Sequence, residues 1–138
     1  RTFPETQVVY TKYIASKDPK GVWAEYNRLN GEVNVNQWLN EYVDELKPYL
    51  NEGNTYVKSK YSCCENPELR ERVRCCERIF IAGVVAECCV LSTIYDLIDM
   101  GKKVVYLSEG IAGETREKEE MVKNILSGLC PLHVIFQS

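Results

Sequence analysis

The stretch Ile79-Phe80-Ile81-Ala82-Gly83-Val84-Val85-Ala86-Glu87-Cys88-Cys89-Val90-Leu91-Ser92-Thr93 decides the fold of this chain. Its first half is an apolar run that reads as a buried parallel strand over Ile79–Val85. Its second half opens an amphipathic pattern that predicts a helix over Cys89–Met100, closed by Gly101. Cys89 therefore falls where a strand hands over to a helix. In open α/β sheets ligands collect at that carboxyl edge, and a helix N-terminus favours a thiolate over a thiol. A nucleophile is one reading of such a cysteine, and a small buried filler is the other.

Working outward, the alternation continues. A strand is expected at Lys103–Leu107, a helix at Glu114–Leu129 and a last strand at His133–Phe136. In that helix Met121, Val122, Ile125, Leu126 and Leu129 fall on one face, while Glu114, Glu117, Glu119 and Glu120 crowd its first half. Upstream, Val8–Ile14 and Thr55–Lys58 read as strands. Asn66 and Pro67 supply an N-cap and a first helical position for a helix over Pro67–Cys76. From Ala15 to Asn36 the chain is polar and broken by Asp18-Pro19 and Lys20-Gly21, which predicts a long loop of functional use. Over Val35–Leu50 the pattern is mixed or helical, with Trp38, Tyr42 and Leu46 four apart until Pro48 interrupts. Trp23, Tyr26, Trp38 and Tyr42 wall a pocket, meet a second subunit or pack this region onto the core. Strands alternating with helices imply βαβ units, hence an α/β fold with a mainly parallel sheet.

Composition excludes several function classes. The chain has 138 residues, 45% of them hydrophobic and 27% charged, which is ordinary for one globular domain. A net charge of -3 and basic residues interspersed with acidic ones, as in Arg70-Glu71-Arg72, argue against nucleic acid as a partner. No apolar stretch is long enough for a membrane span. Six of the seven cysteines form vicinal pairs, Cys63-Cys64, Cys75-Cys76 and Cys88-Cys89, and Cys130 stands alone. That spacing is not a zinc knuckle, and His133 is the one histidine. The odd count suits a reducing, cytoplasmic setting, with the cysteines other than Cys89 read as small buried fillers. An oxidative link between Cys64 and Cys75 is a further option, and a thiol-redox or metal-binding protein using the vicinal cysteines is a third function class.

The words around Cys89 resemble a known family. Gly83-Val84-Val85-Ala86-Glu87-Cys88-Cys89-Val90, with Thr93 following, is similar to the nucleophile motif of the isochorismatase-like cysteine hydrolases. Tyr56-Val57-Lys58-Ser59-Lys60-Tyr61-Ser62-Cys63-Cys64, then Leu69, resembles the strand-borne lysine motif of that family, in the expected order. Gly101-Lys102-Lys103-Val104-Val105-Tyr106-Leu107-Ser108-Glu109-Gly110 is similar to its next strand and acidic loop. The resemblance implies a three-layer αβα domain over residues 1–138, a homo-oligomer, and a small amide-like substrate cleaved through a thioester on Cys89. It further implies that Lys58, rather than Lys60, supplies the cation of the site, because the family's lysine lies three residues before the Tyr-Ser pair. The oxyanion hole maps to backbone N–H groups of Val85, Ala86 and Cys89, with a cis peptide at Val85-Ala86. The family commonly has threonine where this chain has Ala86.

Two departures from the family pattern shape the expectation. The family opens on a strand with an Asp-x-Gln-like element whose aspartate completes an Asp–Lys–Cys triad, whereas Val8-Val9-Tyr10-Thr11-Lys12-Tyr13 already resembles its second strand. The expectation is an N-terminally incomplete domain that lacks the family's first strand; the alternative is a catalytically silent binding protein without the triad aspartate. Nicotinamidases add a metal site of an aspartate and histidines after the second strand. Here Lys12, Tyr13, Ile14 and Ala15 occupy that place, so neither a metal nor another cofactor is expected.

Overall fold

A computed structural model describes residues 3–138, which form two compact units, one ending at Lys60 and the other spanning Tyr61–Ser138. In the first unit, strands β1 (Tyr10–Tyr13) and β2 (Thr55–Lys58) pair in parallel with Tyr13 opposite Lys58. Ile14 N–H donates to the Lys58 carbonyl at 2.8 Å, so the ladder runs one bond past β1. The buried Asn54 accepts from Asn51 N–H and donates to the Tyr49 carbonyl, both at 2.8 Å, which seats the turn that launches β2.

The segment between these strands differs from the sequence expectation. The predicted loop carries two helices, α1 (Val22–Leu29) and α2 (Gly31–Val35). Trp23 and Tyr26 meet edge-on at 5.1 Å in α1, and Tyr13 Oη donates to Asn27 at 3.0 Å. Gly21, with φ 59°, takes the left-handed backbone that starts α1 and that few other residues adopt. The pattern over residues 35–50 does not become a long helix. It resolves into turns and a 3₁₀ turn at Lys47–Tyr49 around Pro48, so Trp38, Tyr42 and Leu46 share no helical face. Tyr42 instead lies under the Lys12 ammonium and donates to the Tyr10 carbonyl at 3.2 Å, while Trp38 points to solvent.

The second unit is a parallel three-stranded sheet in the order β3 (Arg78–Val84), β4 (Lys103–Ala112), β5 (Val134–Gln137), with α3 (Pro67–Arg74), α4 (Leu91–Asp99) and α5 (Arg116–Ser127). The α/β class is therefore as expected. Within this unit β4 is central and β3 lies at the edge. Burial follows the same order: Val104, Val105 and Tyr106 of β4 are all buried, whereas β3 has no buried residue and exposes Arg78, Ala82 and Val84. Asn66 caps α3 by accepting from Glu68 and Leu69 N–H groups, as its place before Pro67 predicts.

Ile94 and Leu97 of α4, with Val90 just before it, form one stripe buried in a core with Val104, Tyr106, Val122, Leu126 and Val134. The apolar face expected on α5 is narrower than the sequence suggests, since Met121 and Ile125 are exposed beside buried Val122 and Leu126. The cysteines are not mainly fillers either. Only Cys64 is buried, and Cys75 and Cys76 turn outward where α3 ends. No disulfide joins any of the seven, Cys64 and Cys75 included.

Tyr106 carries a buried hydroxyl that finds no hydrogen-bond partner among the described residues. Burying such a group unpaired costs about 1–3 kcal/mol. Tyr106→Phe keeps the ring contact with Phe136 at 5.3 Å and removes that penalty. Urea unfolding of the variant should show a gain of about 1 kcal/mol; a loss of that size would mean the hydroxyl is bonded.

Candidate active site

The nucleophile motif sits where the sheet geometry breaks. β3 and β4 run in register to Ile81 opposite Tyr106, then shift, so that Gly83 faces Ile111 and Val84 faces Ala112. Gly83 has φ 125°, a conformation that favours glycine, and the chain leaves the sheet after Val84. A cis peptide lies at Val84-Val85, where the chain leaves β3, one bond before the Val85-Ala86 position expected from the motif. Residues Ala86–Val90 then form a single wide turn, with Val90 N–H donating to the Val85 carbonyl at 3.2 Å, before α4 starts at Leu91. Such π turns recur at functional sites.

Of the predicted site residues, Ala86 and Cys89 lie in this turn and Val85 immediately precedes it. Ala86 is fully buried, while Val85 and Cys89 are half-buried. Lys58 belongs to the other unit. It is buried at the end of β2, its ammonium donating to the Lys60 carbonyl at 2.9 Å and lying 5.8 Å from the Tyr13 ring centre. Lys60, its competitor, lies beyond the strand end and is exposed, so it does not share the facing of Lys58.

The two motifs also meet inside the second unit. Thr93 of α4 accepts from Cys63 N–H at 3.1 Å, and Ser62 accepts from Cys64 N–H at 3.1 Å. Thr93 and Ser62 are both buried; the Cys63–Thr93 bond ties the segment after the lysine strand to the nucleophile helix, and Ser62 caps the short turn at Cys63–Glu65. Sequence reasoning marked Thr93 and Ser62 as motif letters without assigning them this task.

Glu87 is the residue that sequence reasoning missed. Its carboxylate reaches across to the segment after β4 and accepts from Glu114 N–H, at 3.0 Å to Oε1 and 3.3 Å to Oε2. Its charge also acts locally. Burial, then the charges of Glu87 and Cys89, push the Cys88 thiol up. A hydrogen bond with Cys63, then burial, does the same for Cys64. Thiols so raised are slow toward alkylating agents, because the thiolate is the reactive form. Limiting iodoacetamide on folded protein near neutral pH should therefore label Cys89 ahead of Cys88 and Cys64. Peptide mapping with Cys88 labelled first would point to the wrong sulfur.

His133 sits at the start of β5, its N–H donating to the Leu129 carbonyl and its carbonyl accepting from Val104 N–H, which is a structural position. Among the described residues no group of three or more His, Cys, Asp or Glu side chains is placed to hold a metal ion. No helix among them is long and apolar enough to cross a membrane.

Comparison with known proteins adds to this geometry. Residues 4–131 match the sequence profile of the isochorismatase domain. An isochorismatase-like hydrolase from Alkaliphilus metalliredigens superposes with a TM-score of 0.68 at 22% identity, over 94% of this chain and 64% of its own length. The nicotinamidase/pyrazinamidase of Bacillus subtilis gives 0.64 at 20% identity, over 92% and 73%. The zinc complex of a pyrazinamidase from Pyrococcus horikoshii gives 0.69 at 21% identity, over 94% and 74%. At these identities the likeness is one of fold, and this chain spans less than two thirds of the first of these proteins. No curated protein sequence matches the chain.

Proposed function

Given that this chain belongs to the isochorismatase domain family, we propose that it is a cysteine-dependent hydrolase of a small amide-like C–N bond. The observation that carries the reading is Cys89, half-buried in the wide turn between the carboxyl end of β3 and α4. The Cys89 thiol gives up its proton and the thiolate attacks the amide carbon, forming a C–S bond; the C–N bond then breaks as the nitrogen takes up that proton and leaves as the neutral amine. Water then cleaves the thioester, releasing the carboxylic acid and the sulfur. Backbone N–H groups of Val85, Ala86 and Cys89 are the proposed donors to the oxyanion, a role that needs no side chain at Ala86. Lys58 is the proposed cation of the site. Its burial beside the exposed Lys60 supports that choice, as does its place in the motif.

Support for an amide rather than another substrate comes from the cysteine itself, since amide hydrolysis in this family resemblance runs through that sulfur. Nicotinamidase and pyrazinamidase relatives share the fold. The test is to catch the intermediate. A panel of small amides is mixed with the folded protein, quenched in acid and mapped by mass spectrometry. The expected result is an acyl group on Cys89 that hydroxylamine removes. Ammonia release from amides with no acylated cysteine at any time point would sink the covalent route.

A further inference from the structure

We propose that Glu87 is a positioning residue for Cys89, its carboxylate pinning the nucleophile turn to the Gly113–Glu114 segment. The inference rests on the reading of Cys89 given above. Glu87 lies two residues before the cysteine, inside the Ala86–Val90 turn. Both of its carboxylate oxygens face one backbone donor, the N–H of Glu114. A carboxylate bonded to a backbone N–H is among the stronger hydrogen bonds in proteins.

The partner segment is shaped to receive it. The register shift between β3 and β4 sets Ile111 and Ala112 beside Gly83 and Val84, which delivers Gly113 and Glu114 next to the turn. At Gly113 an added Cβ would stand 2.9 Å from Glu87 Oε2 and 3.0 Å from both the Thr115 carbonyl and Glu119 N. A side chain there would crowd the carboxylate in its observed place. Thr115 then caps α5 by accepting from Lys118 N–H, so the clamp joins the cysteine turn to the first turn of a packed helix. Helix α5 also contacts the Ala86–Val90 turn directly. A turn that must aim a sulfur and N–H groups gains from such anchoring, because a displacement of about 1 Å at a reacting centre can cost on the order of 100-fold in rate.

Position and charge can be separated. Glu87→Ala removes both, whereas Glu87→Gln keeps an oxygen acceptor and loses the charge. Three readouts are taken on the folded protein: exchange of the Glu114 amide by NMR, the pH profile of iodoacetamide labelling at Cys88 and Cys89, and kcat with KM on any amide turned over. Glu87→Ala should speed Glu114 exchange about tenfold or more. It should also slow Cys89 labelling and lower kcat by about 10- to 100-fold with KM nearly unchanged. Glu87→Gln should restore all of these to within a few-fold of the parent.

Cys88 responds to the charge of Glu87. Its thiol is raised by burial first and then by Glu87 and Cys89, with Lys118 opposing and Glu114 adding. Loss of the Glu87 charge removes one raising influence, so Cys88 labelling should move to lower pH in both variants. Gly113→Ala serves as a second probe that leaves Glu87 in place; crowding the carboxylate should reproduce the Glu87→Ala pattern at Glu114 and Cys89. Unchanged Glu114 exchange in Glu87→Ala would overturn the clamp. So would a Glu87→Gln variant as slow at Cys89 as the alanine variant, because charge rather than position would then explain the effect. If the parent turns over no amide, the hydrolase reading falls, while the exchange and labelling arms still decide the role of Glu87.

Discussion

Cys89→Ala is expected to lower kcat for amide hydrolysis by about 10⁴- to 10⁶-fold, the range seen when a covalent nucleophile is deleted. The size follows from the route. Without the sulfur no thioester forms, and what remains is the stabilisation of the oxyanion by backbone groups that the substitution leaves in place. KM should change little where substrate binding does not use the thiol. Fold should be retained, because Cys89 is half-buried and the turn is held by the Glu87 bond and by buried Ala86 and Val90 on either side. Cys88→Ala is the matched control, expected to keep turnover within a few-fold. The measurement is ammonia or amine release under saturating substrate, with circular dichroism to confirm folding. Comparable losses for both cysteines would mean the turn, not the sulfur, is being damaged. A parent protein inert toward every amide, with Cys89 still reactive to iodoacetamide, would favour a silent binding role for the fold.

Much of the fold was legible because the second unit obeys simple periodicities. The apolar run of β3 as a parallel strand, though not a buried one, the helix after Cys89 and the Asn66-Pro67 start of α3 each follow their local reading. What sequence reading missed has physical causes. Helix α1 exposes Val22 and Leu29 and carries no fully buried residue, so its apolar positions do not mark an inward face. Strand β4 runs to Ala112 rather than Leu107 because of the register shift against Gly83, and Ser108, Glu109 and Gly110 read as loop residues on any propensity scale.

The candidate site was legible in the sequence only through its motif letters. Cys89 and Lys58 stand out because their neighbours carry motif letters. Glu87 does not, since its partner is a backbone N–H 27 residues away and no spacing rule encodes that contact. The nearest signal was Gly113 ahead of the Thr115 cap, a glycine without a turn type to explain it. Aromatic side chains misled in a different way. Trp38 and Tyr42 looked like one surface at helical spacing, yet one is exposed and the other bonds to β1, because Pro48 and the preceding turns prevent a helix from forming.

The largest expected loss of stability is at Ile94, which is 0% exposed in the stripe that α4 presents to the core. Ile94→Ala removes apolar contact and leaves a cavity that its neighbours fill only partly, a change that costs about 2–5 kcal/mol. Ile94→Val deletes a single methylene and should cost about 0.5–1.5 kcal/mol, so the pair calibrates how tightly the site is packed. Met121→Ala on α5 is the surface contrast, with the side chain 54% exposed and an expected change within about 0.5 kcal/mol. Urea midpoints at constant slope give all three values. The position matters for the chemistry as well, because Ile94 adjoins Thr93, whose oxygen holds Cys63 N–H, and follows Val90 at the end of the cysteine turn by one helical turn. A destabilised α4 should therefore raise the fraction of molecules in which Cys88 and Cys64 become reactive. Their labelling should rise in Ile94→Ala as denaturant is added, at concentrations where the parent still protects them. If Ile94→Ala costs no more than Met121→Ala, α4 does not dock on the sheet through this stripe, and the placement of Cys89 at its N-terminus loses its support.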